Sequence, residues 1–115
     1  MSITIYHNPK CSKSRQTLAL LQQQGVTSTV IEYLKTPPTA ETLKEILGLL
    51  ELAPCELMRK KEDIYAENGL DNLSLSDEAL IDAMVKHPIL IEHPIVLTNG
   101  KAALGRPPEQ VLKIL

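Results

Sequence analysis

The sequence predicts an α/β fold with a mixed four-stranded sheet, and three observations carry that prediction. The N-terminal third holds a short β-branched segment, a helical segment and a second β-branched segment, the pattern of a βαβ unit. The C-terminal quarter holds two apolar segments joined by Asn99-Gly100, followed by a last helical segment. The stretch between these parts carries helix signals, so we expect a helical insertion between strands 2 and 3.

The N-terminal elements follow from local patterns. Residues 3–6 are apolar and β-branched and end at His7-Asn8-Pro9, which predicts a buried strand. Residues 13–24 place leucines on one side and are followed by Gly25, which predicts a helix with a left-handed residue just past its end. Residues 29–33 predict the second strand.

Helix-start signals recur through the expected insertion, which covers about residues 39–87. Thr39 can cap a helix over residues 41–50. Pro54 suits the first turn of another helix, which we expect to continue through Arg59. Ser76 can begin a further helix, after a break at Asn68-Gly69.

The C-terminal elements complete the fold prediction. Asn99-Gly100 is a strong hairpin signal, and it joins a strand over residues 95–98 to one over residues 101–104. The prolines after Gly105-Arg106 lead into a last helix with Val111 on its apolar side. A βαβ unit followed by ββα is the element order of a thioredoxin-like fold. We therefore expect a single thioredoxin-like domain over residues 1–115.

Composition and charge disfavour several classes of function. The chain has 115 residues and a net charge of −2, and its basic cluster Arg59-Lys60-Lys61 is followed at once by Glu62-Asp63, so we expect no nucleic-acid partner. No apolar run approaches the roughly 20 residues of a membrane span. No signal-peptide pattern is visible at the N-terminus, so we expect a cytoplasmic protein with no membrane partner. We also expect a monomer. The spacing of the two cysteines fits no zinc pattern, so we expect no metal.

Cys11 is the residue that we predict to be the reactive centre. It follows the first strand at the start of the first helix, where unpaired N–H groups and the helix dipole favour a thiolate. His7, Lys10, Lys13 and Arg15 are close in sequence and act in the same direction. Backbone donors at a helix start, together with Arg15, also suit the binding of an oxyanion beside the sulfur.

Ser14 stands where a Cys-x-x-Cys motif would carry its second thiol. Cys11 therefore lacks a local resolving thiol, and an external thiol must complete any redox cycle. Glutathione is the abundant candidate in the cytosol. For Cys55, which lies among apolar neighbours, we expect an unreactive and partly buried thiol in a helix.

The segment His7-Asn8-Pro9-x-Cys11-x-x-Ser14-Arg15 resembles the active-site loop of the glutaredoxin-coupled arsenate reductases, the ArsC family of thioredoxin-like proteins. Further segments resemble this family in the same order, over essentially the whole chain: Thr36-Pro37-Pro38, Leu57-Met58-Arg59-Lys60, His87-Pro88-Ile89-Leu90-Ile91, Pro94-Ile95-Val96 and Gly105-Arg106-Pro107. The resemblance implies that Cys11 attacks arsenate, that glutathione is a co-substrate and that glutaredoxin restores the thiol. It implies no bound cofactor.

The resemblance also implies roles for other residues. His7 would help to form the thiolate, and Arg59 and Arg106 would bind the oxyanion. We expect His93, Ser14 and Arg15 to contribute to the same binding. His93 occupies the position of a third arginine of the family. A histidine with an ordinary pKa of about 6.5 is mostly neutral at neutral pH, so we expect His93 to weaken oxyanion binding or to make it pH-dependent. Pro94 resembles the cis-proline that faces the active cysteine in thioredoxin-like folds.

Two alternatives remain open at this point. The first is a glutathione-dependent thiol reductase without a preference for arsenate, against which Arg59, Arg106 and His93 argue because they suit an oxyanion. The second is a regulator of the Spx type, which shares the fold and binds RNA polymerase. The redox switch of those regulators uses Cys-x-x-Cys, which Ser14 removes here, and co-purification of a polymerase subunit would favour this alternative.

Overall fold

The computed structural model describes residues 3–25, 27–72 and 75–115. Its elements in chain order are β1 Ile3–His7, α1 Ser12–Gln23, β2 Ser28–Glu32, α2 Ala40–Leu50, α3 Pro54–Leu57, α4 Asp63–Glu67, α5 Asp77–Lys86, a 3₁₀ helix Pro88–Leu90, β3 Ile95–Thr98, β4 Lys101–Leu104 and a second 3₁₀ helix Pro108–Ile114. The predicted α/β, thioredoxin-like fold with a helical insertion between β2 and β3 is confirmed. The chain divides into two compact units, one formed by the chain up to Thr36 and from His93 to Leu115, the other by Pro37–Glu92.

The sheet of the first unit has the strand order β2-β1-β3-β4. Strand β1 runs parallel to β2, with His7 opposite Glu32, and antiparallel to β3, with Tyr6 opposite Ile95. Strand β4 is antiparallel to β3, with Leu104 opposite Ile95. The carboxyl ends of β1, β2 and β4 therefore meet the start of β3 at one end of the sheet.

An aliphatic core holds α1 and the C-terminal 3₁₀ helix to the sheet. Its buried members are Ile3, Ile5, Leu21, Val96 and Val111. Ile3 and Ile5 are two residues apart, so they point to the same face of the sheet. Burying an aliphatic side chain of this size contributes about 1.5–3 kcal/mol, and this core is what fixes α1 beside the end of β1.

The hairpin between β3 and β4 is confirmed, together with the reason for it. Asn99 and Gly100 have φ of 55° and 69°. Two consecutive positive φ values are the requirement of a type I′ turn, whose twist matches that of the flanking strands. Gly25, just past the end of α1, is left-handed as predicted, with φ of 74°.

In the second unit, the hydroxyls of Thr39 and Ser76 cap α2 and α5. They accept hydrogen bonds from the N–H groups of Thr42 at 3.2 Å and Ala79 at 3.1 Å. Helix α5 packs against both α2 and α3. Its buried face and that of α2 consist of apolar residues: Leu43, Ile46, Leu47, Leu80, Ile81 and Met84.

Two sequence-based expectations differ from the structure, and one helix has no counterpart among the predictions. Helix α3 ends at Leu57 instead of continuing to Arg59, because Met58 is extended and bridges to Ile91 while the Arg59 N–H donates to the Leu90 oxygen at 2.7 Å. Helix α4 was not predicted, and the last helix is of the 3₁₀ type.

In the described part of the chain, no helix combines the length and the apolar composition that crossing a membrane requires.

Candidate active site

One end of the sheet in the first unit gathers the side chains of interest. His7 ends β1, and Cys11 follows at the start of α1. Tyr33 comes directly after β2, His93 lies two residues before β3, and Arg106 lies two residues after β4. The strand order brings these positions together although they span nearly the whole sequence.

Cys11 is the N-cap residue of α1, so its predicted position at a helix start is confirmed. Its N–H donates to the Asn8 oxygen, and its own oxygen accepts from the Arg15 N–H, both at 3.0 Å. Its side chain makes no capping hydrogen bond, is partly exposed and forms no disulfide. The backbone of Cys11 is therefore fixed while its sulfur remains available for chemistry.

Arg106 is the predicted arginine that the structure brings to Cys11. Its Nη2 donates to Cys11 Sγ over 3.9 Å, a long hydrogen bond to sulfur. Its Nε donates to the backbone oxygen of His93 at 2.7 Å. The guanidinium is thus anchored at one nitrogen while it presents another to the sulfur.

Gly105 allows the chain before Arg106 to pass close to α1. Its N–H donates to the Pro94 oxygen at 2.9 Å. A Cβ at position 105 would lie 2.4 Å from Thr17 Oγ1 and 2.7 Å from Pro94 Cγ, which is too close for any side chain. The His93–Pro94 peptide bond is cis, which confirms the expectation for Pro94.

His7 and Ser14 form a buried pair beside Cys11 in the sequence. His7 Nδ1 lies 2.6 Å from Ser14 Oγ, which also accepts a hydrogen bond from the Asn8 N–H at 3.0 Å. Burial lowers the pKa of His7 below its ordinary 6.5, and the charge of Glu32 opposes this in part. Burial therefore favours the uncharged imidazole of His7, and its predicted help in forming the Cys11 thiolate stays a prediction.

His93 is almost completely buried and contacts a residue that the sequence analysis missed. Its Nδ1 lies 2.5 Å from the Tyr33 hydroxyl, and each residue is about 1% exposed. The two ring centroids are 5.4 Å apart. The ring of His93 is engaged inside the protein, and its contact with an oxyanion stays a prediction. No local pattern marks Tyr33, because its partner lies 60 residues further along the chain.

The remaining predicted residues lie on α1 and in the second unit. Arg15 is exposed on α1, and Arg59 belongs to the second unit, where its Nε lies 3.6 Å from a Glu62 carboxylate oxygen and 3.9 Å from one of Glu92. The oxyanion contacts of Arg15, Arg59 and Ser14 also stay predictions.

Cys55 is exposed, not partly buried as expected, because the short helix α3 buries Pro54 and Leu57 instead. Among the described residues, no group of three or more His, Cys, Asp or Glu side chains is arranged to hold a metal ion.

Comparison with known proteins identifies the family of this chain. The model of the ArsC family matches residues 6–114. The chain is 57% identical to the Escherichia coli K12 protein named "Uncharacterized protein YfgD", over 98% of this chain and 96% of that one. It is 51% identical to a Neisseria meningitidis serogroup A protein named arsenate reductase, over 98% and 97% of the two chains. A solved structure named arsenate reductase from Vibrio cholerae superposes with a TM-score of 0.98 at 57% identity, covering 100% of this chain and 98% of the other. The chain therefore belongs to the ArsC family.

Proposed function

We propose that this protein is an arsenate reductase in which Cys11 is the nucleophile and glutathione and glutaredoxin are the electron donors. The observation that carries the proposal is the Arg106 guanidinium, held by the His93 oxygen with its Nη2 3.9 Å from Cys11 Sγ. A planar cation fixed beside a sulfur at a helix start suits a tetrahedral oxyanion that the sulfur attacks. The relatives named arsenate reductase support arsenate as that oxyanion.

In the first step, the Cys11 thiolate attacks arsenic and forms a sulfur–arsenic bond. One arsenic–oxygen bond breaks, and the departing oxygen leaves as water after protonation. Arsenic remains pentavalent at this stage. Arg106 and the unpaired N–H groups at the start of α1 would offset the negative charge of the oxyanion as the thiolate approaches.

In the second step, a glutathione thiolate attacks the Cys11 sulfur. A sulfur–sulfur bond forms, and the electron pair of the sulfur–arsenic bond stays on arsenic, which leaves as trivalent arsenite. Cys11 is then in a mixed disulfide with glutathione. A glutaredoxin thiolate attacks the glutathione sulfur, releases the Cys11 thiolate and is itself reduced by a second glutathione.

The site supports an external reductant. Ser14, three residues after Cys11, is a hydroxyl bound to His7 and to the Asn8 N–H, and it cannot act as a resolving thiol. The other thiol, Cys55, is free and exposed, and it forms no disulfide with Cys11. Glutathione and glutaredoxin are reagents of a reducing compartment, so we propose that the protein acts in the cytoplasm.

A coupled turnover assay tests the proposal. Arsenate, glutathione and glutaredoxin are supplied, and oxidised glutathione is followed through glutathione reductase and NADPH. We expect turnover by the wild type and by Cys55→Ser, none by Cys11→Ser, and a strong decrease without glutaredoxin. Cys55→Ser is the matched control, because it removes the second thiol from an exposed position.

Two outcomes would contradict the proposal. A wild-type protein that shows no turnover at millimolar arsenate would contradict the proposed arsenate reduction. Reduction of a small mixed disulfide under the same conditions, with no response to arsenate, would favour the glutathione-dependent thiol reductase instead.

A further inference from the structure

Behind the site lies a buried tyrosine that the proposed reaction does not use. The hydroxyl of Tyr33 contacts His93 Nδ1 at 2.5 Å, and the backbone oxygen of His93 accepts from Arg106 Nε at 2.7 Å. Arg106 Nη2 then reaches Cys11 Sγ at 3.9 Å. A series of contacts thus joins the Tyr33 hydroxyl to the reactive sulfur, entirely within the first unit.

The geometry makes the contact between Arg106 and Cys11 sensitive to the position of His93. A guanidinium is planar and rigid, so the position of Nε fixes the direction of both terminal nitrogens. The distance from Nη2 to the sulfur is already long for a hydrogen bond, so a small displacement of Arg106 would remove this contact. The position of Nε depends in turn on the His93 oxygen, and therefore on how firmly His93 is held.

Tyr33 is placed to hold His93 firmly. Both side chains are about 1% exposed, so water cannot replace the contact between the Tyr33 hydroxyl and the His93 ring. Tyr33 directly follows β2 and His93 precedes β3, and these two strands flank β1 on either side. The contact therefore ties together two strand ends beside the strand that leads to Cys11.

We propose that Tyr33 is a positioning residue whose hydroxyl, acting through His93, holds the Arg106 guanidinium against Cys11. Tyr33 touches neither the sulfur nor any substrate in this role. The inference rests on the proposed function only in that it takes Cys11 as the nucleophile. It differs from the predicted oxyanion role of His93, because the ring serves to place a neighbour's charge.

The test measures the reactivity of the Cys11 sulfur without arsenate. In a Cys55→Ser background, the rate of Cys11 alkylation by iodoacetamide is measured at a fixed neutral pH. We expect Tyr33→Phe and Arg106→Gln each to lower this rate several-fold. We expect the double variant to react no more slowly than Arg106→Gln alone, since Tyr33 would then have no guanidinium to place.

Controls separate positioning from a general loss of structure. Tyr65→Phe removes a tyrosine hydroxyl that is no member of the series of contacts from Tyr33 to Cys11, and it should leave the alkylation rate unchanged. His93→Asn keeps a polar group near the position of Nδ1 and should retain most of the wild-type rate, whereas His93→Leu should lower the rate as Tyr33→Phe does. If circular dichroism shows that Tyr33→Phe fails to fold, the comparison of His93→Asn with His93→Leu tests the positioning role instead.

An unchanged rate in Tyr33→Phe, or a further loss of the same size in the double variant, would overturn the inference. Equal rates for His93→Asn and His93→Leu would also overturn it. The result is independent of arsenate turnover. If alkylation follows the expected pattern while the wild type reduces no arsenate, the proposed function fails and the positioning role of Tyr33 stands.

Discussion

The Ser14 hydroxyl lies 2.6 Å from Nδ1 of His7, and both residues are buried. The same oxygen accepts the Asn8 N–H, so one side chain in the first turn of α1 joins the end of β1 to the loop that carries Cys11. A hydroxyl occupies the position that a resolving thiol has in dithiol enzymes. Its contacts give that position a structural use.

Replacement of Ser14 by alanine should destabilise the fold. The change leaves the buried His7 ring and the Asn8 N–H without this hydroxyl, and such a loss costs about 1–3 kcal/mol. Urea unfolding measures the effect, with Ser12→Ala as the control because Ser12 is exposed on the same helix. We expect Ser12→Ala to stay within about 0.5 kcal/mol of the wild type. Equal unfolding midpoints for the two variants would refute the structural role of Ser14.

The lowered pKa of His7 predicts how stability depends on pH. Between the folded-state pKa and the ordinary value of 6.5, the unfolded chain binds more protons than the folded one. The free energy of unfolding should therefore rise with pH across this window, and the contribution should be lost as the pH falls through the folded-state pKa. In His7→Gln, this part of the slope should disappear.

The proton NMR titration of His7 checks the pKa directly. The midpoint should lie below 6.5 in the wild type. In Glu32→Gln it should lie lower still, because the carboxylate raises the pKa of His7. A wild-type midpoint at or above 6.5, or an upward shift in Glu32→Gln, would disagree with the structure.

Two glycines give a matched pair of alanine substitutions. Gly105→Ala places a Cβ 2.4 Å from Thr17 Oγ1, and such overpacking costs about 1–3 kcal/mol. Gly48 lies within α2, and a Cβ added there would meet no heavy atom within 4 Å beyond its chain neighbours and the backbone of its own helix. Gly48→Ala should therefore stabilise the protein by about 0.5–1 kcal/mol. Thermal unfolding compares the two, and a Gly105→Ala variant as stable as the wild type would show that this close approach does not exist.

His93→Arg tests the prediction that the side chain at position 93 contributes to oxyanion binding. Arginine restores a permanent charge, so we expect KM for arsenate to fall. It also removes the ring that Tyr33 contacts, so we expect kcat to fall as well. Steady-state kinetics at neutral pH separates the two effects. An unchanged KM would mean that the side chain at position 93 does not contribute to oxyanion affinity.

Much of the fold followed from local signals. Thr39, Ser76 and the Asn99-Gly100 turn each occupy the position that the sequence predicted, because capping and turn chemistry depend on a few adjacent residues. The end of α3 did not follow, since Met58 pairs with Ile91, 33 positions later. Pairing over that distance leaves no periodic signal near the helix end.

The site was partly predictable for the same reason. Cys11 at a helix start is a local feature, and the motif Gly105-Arg106-Pro107 marked Arg106 through the family resemblance. The contact between Tyr33 and His93, and the lowering of the His7 pKa by burial, depend on tertiary structure. Local sequence patterns predict neither the strand order nor the depth of burial of a side chain.

A single turnover without glutaredoxin tests the proposed role of Cys11 most directly. The protein is incubated anaerobically with arsenate and glutathione, arsenite is quantified, and the glutathione adduct is located by peptide mass spectrometry. We predict one arsenite for each glutathione bound to Cys11 in the wild type and in Cys55→Ser, no adduct without arsenate, and neither product in Cys11→Ser. Arsenite released by Cys11→Ser at the wild-type rate, or a glutathione adduct that forms equally without arsenate, would contradict this role.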